Sequence, residues 1–380
     1  MVNGSHFDYI IIGNGLAGLQ LALKMASDAF FDDKQIALID PSTKEVDDKT
    51  WSFWETEPSQ WRDLPYKSWR KAKIFTSEKT IDLELAPYAY KSIKAIDFYN
   101  YAKSTLQKCN NIHFLIDEVV SLVEDENVLV TTVASHFTAN HVFDSRVPDA
   151  FYQDSESIKI NQHFKGIVIK TNSAIFDEDH FTMMDYRLKD GPQTTFTYVL
   201  PFSKHEALIE FTYFTEHTVD EAIYDSYIAQ YINDYLKIDD YKIIASEKGN
   251  IPMTTFPFDS YNTNSITKIG TGGGWVKPST GYSFKHTEKK VVKIIENVKA
   301  NRAPSANLFK NKYKFYDKVF LKVIKDENHK GEWIFQQFYD KNSIATMLRF
   351  LDEESTFAEE LKIMSSLFSW SFIKAFFKTL

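Results

Sequence analysis

Near the N-terminus, Gly13, Gly15 and Gly18 have a spacing that binds phosphate. They stand in Gly13-Asn14-Gly15-Leu16-Ala17-Gly18, behind the run Tyr9 to Ile12 and ahead of a stretch rich in Ala, Leu and Met. A second apolar run, residues 35–39, ends in Asp40. Glycines so spaced between a strand and a helix, with an acid about 20 residues on, form a dinucleotide-binding βαβ unit. Gly13 permits the tight turn, Gly15 lets a pyrophosphate reach the positive helix N-terminus, and Gly18 brings helix and strand together. Asp40 is placed to accept a hydrogen bond from a ribose hydroxyl. The unit alone does not separate FAD from a nicotinamide dinucleotide.

A second glycine cluster lies late in the chain. Lys268 to Phe284 reads KIGTGGGWVKPSTGYSF, with Gly270 and Gly272 after a short strand and Gly281 just before a predicted helix. In two-domain flavoproteins such a strand–loop–helix closes over the flavin, its backbone amides facing the polar edge of the ring. Glu210 is a carboxylate on a predicted strand, which the residues by themselves read as solvent-facing. If 207–214 is a strand, Glu210 shares a face with Leu208, Thr212 and Phe214, while Ile209, Phe211 and Tyr213 point away. An apolar setting there raises the carboxyl pKa and keeps it protonated, the state a donor requires. Trp51, Phe53 and Trp54, in TWSFW at 50–54, form an aromatic cluster that suits a core or the wall of an apolar site.

These residues need elements to position them. Residues 95–107 read as a helix, 112–143 as a β-meander ending in Asp144-Ser145-Arg146, and 194–200 with 207–214 as paired strands. Asp185 and Arg187 read as an ion pair that positions elements rather than as chemistry. Beyond residue 300 the pattern is helical, with a capping box at Thr356 and Glu359 and a dense aromatic face over 367–380. That last helix suits a membrane interface or packing on the body equally. No repeat or low-complexity linker divides the 380 residues, which implies interleaved domains. The expected fold class is α/β. A Rossmann-like FAD-binding domain (1–60, 95–175 and 245–300) is joined by an interleaved β-sheet substrate domain (61–94 and 176–244) and a helical C-terminal region (301–380).

Composition excludes several function classes. Lys plus Arg number 44 against 52 for Asp plus Glu, and a net charge of −8 argues against nucleic acid. A single cysteine, Cys109, rules out a disulfide framework and Cys-based metal clusters, and the ten histidines show no ligand spacing, so no metal is assigned. No uninterrupted apolar run is long enough to span a bilayer, and no basic-then-apolar leader precedes the first strand. A reducing, cytoplasmic setting is the expectation. Aromatic residues make up 15%, which suits an aromatic core or a long apolar ligand.

Taken in order, GNGLAG at 13–18, TWSFW at 50–54, MDYR at 184–187, YVLPFSKHEALIEFT at 198–212, IPM at 251–253 and GTGGGWVKPSTGY at 270–282 resemble the lycopene β-cyclases of the bacterial FAD-dependent branch. The resemblance runs from about residue 7 to about residue 375. It implies cyclisation of the ends of lycopene to β-ionone rings, giving β-carotene by way of γ-carotene. It further implies reduced FAD with NADPH or NADH as reductant, no net redox change, and association with the cytoplasmic face of the inner membrane. The resemblance makes Glu210 the proton-handling carboxylate and has Trp51, Phe53 and Trp54 line the substrate cavity and steady a cation. Glu210 falls on the family's acidic pair, but the second acid is replaced by Phe211. A mechanism that needs both adjacent acids is therefore in doubt. An FAD-dependent monooxygenase or a polyprenyl reductase on the same fold is the alternative, and a non-catalytic carotenoid-binding protein is a third reading. Aromatic hydroxylases usually carry Asp after the glycine where this chain has Thr271, which favours the cyclase.

Overall fold

Apolar runs without polar alternation become the inner strands of the first sheet. In the computed structural model, which describes residues 4–380, Ile36–Asp40 is buried at every position between His6–Ile12 and Ile112–Ile116, all parallel. His136–Asp144 continues the parallel set beside His6–Ile12 and carries Ile266–Lys268 at its far end. Val128–Thr132 and Val119–Glu124 extend the sheet antiparallel, as a meander. Parallel strands need cover on both faces. The helices Leu16–Ala26, Ala95–Leu106 and Phe284–Lys299 cover one face through Leu19, Leu21, Met25, Phe98 and Ile294. Phe7, Ile10, Val128 and Val130 close the other.

The second sheet runs in the order Lys242–Thr254, Lys159–Lys170, Glu206–Thr215, Thr195–Ser203, His180–Asp185, Lys71–Phe75, Thr80–Glu84. All its pairings are antiparallel except that of His180–Asp185 with Lys71–Phe75. Its two faces bury different sets. Ile209, Phe211 and Tyr213 pack with the helix Glu221–Tyr231, while Leu208, Phe196 and Phe214 face the C-terminal helices. A small sheet, Thr50–Glu55 with Ala89–Lys94 and Lys67–Trp69, lies in chain order between the strands of the two.

The strand content corrects two expected boundaries. Lys159–Lys170 and Lys242–Thr254, expected with the nucleotide-binding sheet, hydrogen-bond along their length inside the second sheet. The boundary at residue 60 also divides the small sheet, since Thr50–Glu55 pairs with Ala89–Lys94. Strand patterning shows that a segment is extended but not which neighbour it pairs with. The C-terminal region is helical as expected, and both bonds of the Thr356/Glu359 capping box form.

Candidate active site

Each glycine of the first loop is held for its own reason. Gly13 has φ +98°, and a Cβ there would lie 2.1 Å from the Ser145 hydroxyl. At Gly18 a Cβ would meet the Gly13 carbonyl at 2.0 Å, so helix and strand touch through the missing side chain. Gly15 faces open space, with nothing within 4 Å of an added Cβ. It precedes the helix Leu16–Ala26, whose start has no side-chain cap. Open N–H groups beside free space are what a pyrophosphate requires. Asp40 accepts from the Asn14 N–H at 2.7 Å and the Ser42 N–H at 2.8 Å, with Lys44 Nζ 3.3 Å away. Its carboxylate thus holds the loop in shape.

The second loop packs against the first. Gly270 (φ +60°) lies against Ala17, and a Cβ on Gly272 would strike the Arg146 carbonyl at 2.3 Å. Gly272 therefore packs on the Asp144–Arg146 turn and does not line the cavity described below, whereas Gly270 and Gly281 do. Gly281 has φ +74°, and a Cβ there would lie 2.1 Å from Gln162 Oε1. Arg146 folds back on Asp144, bonding through Nε at 2.9 Å and Nη2 at 3.0 Å, and Lys268 Nζ adds a bond at 2.9 Å. Burial alone would raise the Asp144 carboxyl, but the Arg146 and Lys268 charges hold it below its usual range. This turn sets Ser145 into the cavity wall between the loops.

One cavity of about 530 Å³ joins the loops to the face of the second sheet. Its wall includes Gly15, Gly270 and Gly281 together with Glu210, Glu247 and Tyr198. Leu208, Glu210 and Phe214 face it as alternation predicts, and Phe211 turns away to stack on Tyr227 at 4.6 Å. Gly166 pairs with Glu210 on one side and with Glu247 on the other. The two acids and the glycine therefore form one row across three strands, with no side chain between the carboxylates. Thr212 Oγ1 donates to Glu210 at 2.7 Å, and Thr50 Oγ1 donates to Glu247 at 2.9 Å. Burial pushes both carboxyls above the usual carboxylate range. The Glu247 charge adds to this at Glu210 and the Asp47 charge at Glu247, while the threonine hydroxyls oppose it.

Across from Glu210 the wall is aromatic, while Lys44, Asp48, Lys49 and Lys248 line it toward the loops. Tyr198, directly across from Glu210, donates to the Tyr90 hydroxyl at 2.8 Å, and Tyr90 meets Tyr282 at 3.0 Å. Burial holds all three phenols well above their ordinary pKa. Of the TWSFW aromatics, Trp51 lines the cavity. Phe53 and Trp54 do not, which corrects the expectation that all three do. Phe53 stacks on Phe284 at 4.2 Å, and Trp54 packs edge-on against Tyr282 at 4.7 Å, behind the wall. Asp185 and Arg187 pair at 2.5 Å with Tyr231 donating to Asp185 at 2.7 Å, away from the cavity. Glu247 and Gly166 escaped the sequence reading, because only strand register brings them to Glu210.

Comparison with known proteins fits this geometry. The family described as "Lycopene cyclase protein" matches residues 8–376, and the chain belongs to that family. It is 24% identical over 301 residues to a chloroplastic neoxanthin synthase of Solanum lycopersicum, covering 74% of this chain and 58% of that protein. To a chromoplastic capsanthin/capsorubin synthase of Citrus sinensis it is 26% identical over 306 residues, with coverages of 74% and 58%. The matches thus span under two thirds of these relatives' length. Among solved structures it resembles a geranylgeranyl bacteriochlorophyll reductase-like protein from Thermoplasma acidophilum, with TM-score 0.63 at 11% identity over 99% of this chain and 100% of that one. It also resembles the halogenase PltM in complex with phloroglucinol and FAD, with TM-score 0.60 at 10% identity over 98% and 90%. The fold is the two-domain α/β fold of these structures.

Proposed function

We propose that this member of the lycopene cyclase family is a lycopene β-cyclase that closes the ψ-ends of lycopene to β-ionone rings by acid–base chemistry, giving β-carotene via γ-carotene. The observation that carries the reading is a buried carboxylic acid, Glu210, in an aromatic cavity continuous with two glycine loops. The loops fit FAD, since Gly15 leaves free space at an uncapped helix start. Thr280 Oγ1 in the second loop and Gln162 Oε1 facing it are buried and have no hydrogen-bond partner among the described residues. Gly13, Gly15, Gly18 and Asp40 would hold the dinucleotide, and Gly270 and Gly281 the ring end. Reduced FAD bound there supplies an electron-rich ring that favours nearby positive charge, with NADPH or NADH as its outside reductant.

The chain's own residues do the rest. Glu210, protonated because it is buried, gives a proton to a terminal double bond. The neighbouring double bond closes on the resulting cation, and a ring carbon then releases a proton, so atoms and electrons balance without net oxidation. The Tyr90, Tyr198 and Tyr282 rings present π-faces to the cation, worth about 0.5–2 kcal/mol each. The wall excludes water that would otherwise capture it. We place the enzyme in the cytoplasm against the inner membrane, drawing its substrate from the bilayer.

The test is a pigment chromatogram from lycopene-accumulating bacteria expressing the chain or its Glu210→Gln variant. The wild type should make β-carotene, and the variant should lose roughly a hundred- to ten-thousand-fold in rate. Unchanged lycopene from folded, flavin-loaded wild type would overturn the reading. Reductant consumed in proportion to product would replace it with a polyprenyl reductase.

A further inference from the structure

We infer that Glu247 is a second catalytic carboxylate, which takes the proton the closing ring releases and returns it to Glu210 over Gly166. This rests on the cyclase reading above and adds to it the residue that completes the proton cycle. Three features that each cost stability coincide at one point of the sheet. Glu210 is a buried and Glu247 a half-buried carboxylate on one face of the two strands that flank Lys159–Lys170, and neither has an ion-pair partner among the described residues. Buried charges without a counter-charge are rare in cores, because two apolar side chains there would stabilise the sheet instead. Between them stands glycine, a poor strand residue. An alanine Cβ at Gly166 would lie 3.2 Å from the Glu210 Cβ and 2.9 Å from Leu208 Cδ1. Strands about 4.8 Å apart put the two acid backbones about 10 Å apart, a gap that two glutamate side chains are long enough to bridge with one water.

The proton balance follows. Glu210 loses its proton to the substrate and becomes an anion, while the ring loses one to the Glu247 carboxylate. The starting state returns when that proton crosses from Glu247 to Glu210, directly or through one water, and no oxidant or reductant is consumed. The first acid needs to be neutral and the second charged, and like charges at close range enforce this division by leaving one proton for two sites. Thr50 donates to Glu247 and Thr212 to Glu210, so the hydroxyls act alike at both, and the division follows from the Glu247 charge raising Glu210. The other titratable groups around the row are Tyr90, Tyr198, Tyr282 and Tyr339 on the aromatic side, and Lys44, Asp47, Asp48, Lys49 and Lys248 toward the loops.

The experiment compares wild type, Glu247→Gln, Glu247→Asp and Thr50→Val as purified flavin-loaded enzymes on lycopene across pH. Glu247→Gln should lower kcat at least tenfold with flavin retained, Glu247→Asp should recover part of it, and Thr50→Val should lose several-fold. Removing the Glu247 charge also lets Glu210 ionise more easily, so the alkaline limb of residual activity should move to lower pH. A Glu247→Gln enzyme with wild-type kcat and an unmoved alkaline limb would overturn the relay while leaving the cyclase intact. So would a Thr50→Val enzyme indistinguishable from wild type if Glu247→Gln fails to fold. Failure of the cyclase reading is a different result, since the wild type itself then makes no cyclised pigment.

Discussion

At the scale of the residue, the acid that makes chemistry possible also weakens the fold. Glu210 keeps its proton in the folded chain at pH values where the unfolded chain has released it, because burial raises its pKa. Stability from this group is therefore fully present below the unfolded carboxylate pKa and is lost as pH rises toward the raised folded value, by up to about 1.4 kcal/mol per pH unit. Relative to its value below the unfolded carboxylate pKa, the thermal stability of Glu210→Gln should gain on wild type as pH rises from there and level off near the folded value of about 8. A stability difference that stays constant with pH would mean the carboxyl is not held neutral. Gly281 offers the converse case, in which a side chain is forbidden. Its φ of +74° and the 2.1 Å approach of Gln162 Oε1 to an added Cβ predict that Gly281→Ala strains the second loop. Flavin absorbance after gel filtration should fall at least tenfold for that variant, and full retention would remove Gly281 from the cofactor wall.

At the scale of the element, what was legible followed from local chemistry. The glycine loop, the helix Leu16–Ala26 and the capping box at Thr356 each depend on residues within a few positions of one another. Alternation along Glu206–Thr215 placed Glu210 and Phe211 on opposite faces. The hairpin pairing of 194–200 with 207–214 was legible, but partners distant in sequence were not: Lys159–Lys170 and Lys242–Thr254 joined the second sheet, and with them came Gly166 and Glu247. Glu247 sits in a polar stretch, Ser246-Glu247-Lys248-Gly249-Asn250, where nothing local distinguishes it from a solvated carboxylate. The same limit applied to TWSFW, whose composition suits a cavity wall while Phe284 and Tyr282 cover two of its rings. Local elements also allow a contained test. Thr356→Ala removes the cap of the helix Phe357–Ser366 and should cost about 1 kcal/mol in denaturant unfolding with pigment output unchanged. A loss of several kcal/mol would mean this helix braces more of the molecule than its own first turn.

At the scale of the whole molecule, the C-terminal helices resolve the choice between packing and exposure by doing both. Trp370–Thr379 packs on Asn311–Asp326, burying Ala375 and setting Phe376 edge-on to Phe315 at 5.4 Å. Its outer side and that of Phe357–Ser366 leave Phe357, Phe368, Trp370, Phe377 and Leu380 at least 70% exposed. No helix among the described residues is long and apolar enough to cross a membrane. Several large apolar side chains left bare on two consecutive helices are a cost in water that an interface recovers, at roughly 1.5–3 kcal/mol for each one fully buried. In the membrane contact we propose, Lys362, Lys374 and Lys378 would add some attraction, but the overall charge of −8 would make apolar insertion the main term. Binding to neutral phosphatidylcholine vesicles should therefore survive high salt. A Phe368→Glu, Trp370→Glu, Phe377→Glu variant should sediment with vesicles at least a hundredfold less while cyclising detergent-dispersed lycopene at the wild-type rate. Equal sedimentation would move the membrane contact elsewhere. Loss of activity in detergent as well would make these side chains part of the fold rather than its attachment to the bilayer.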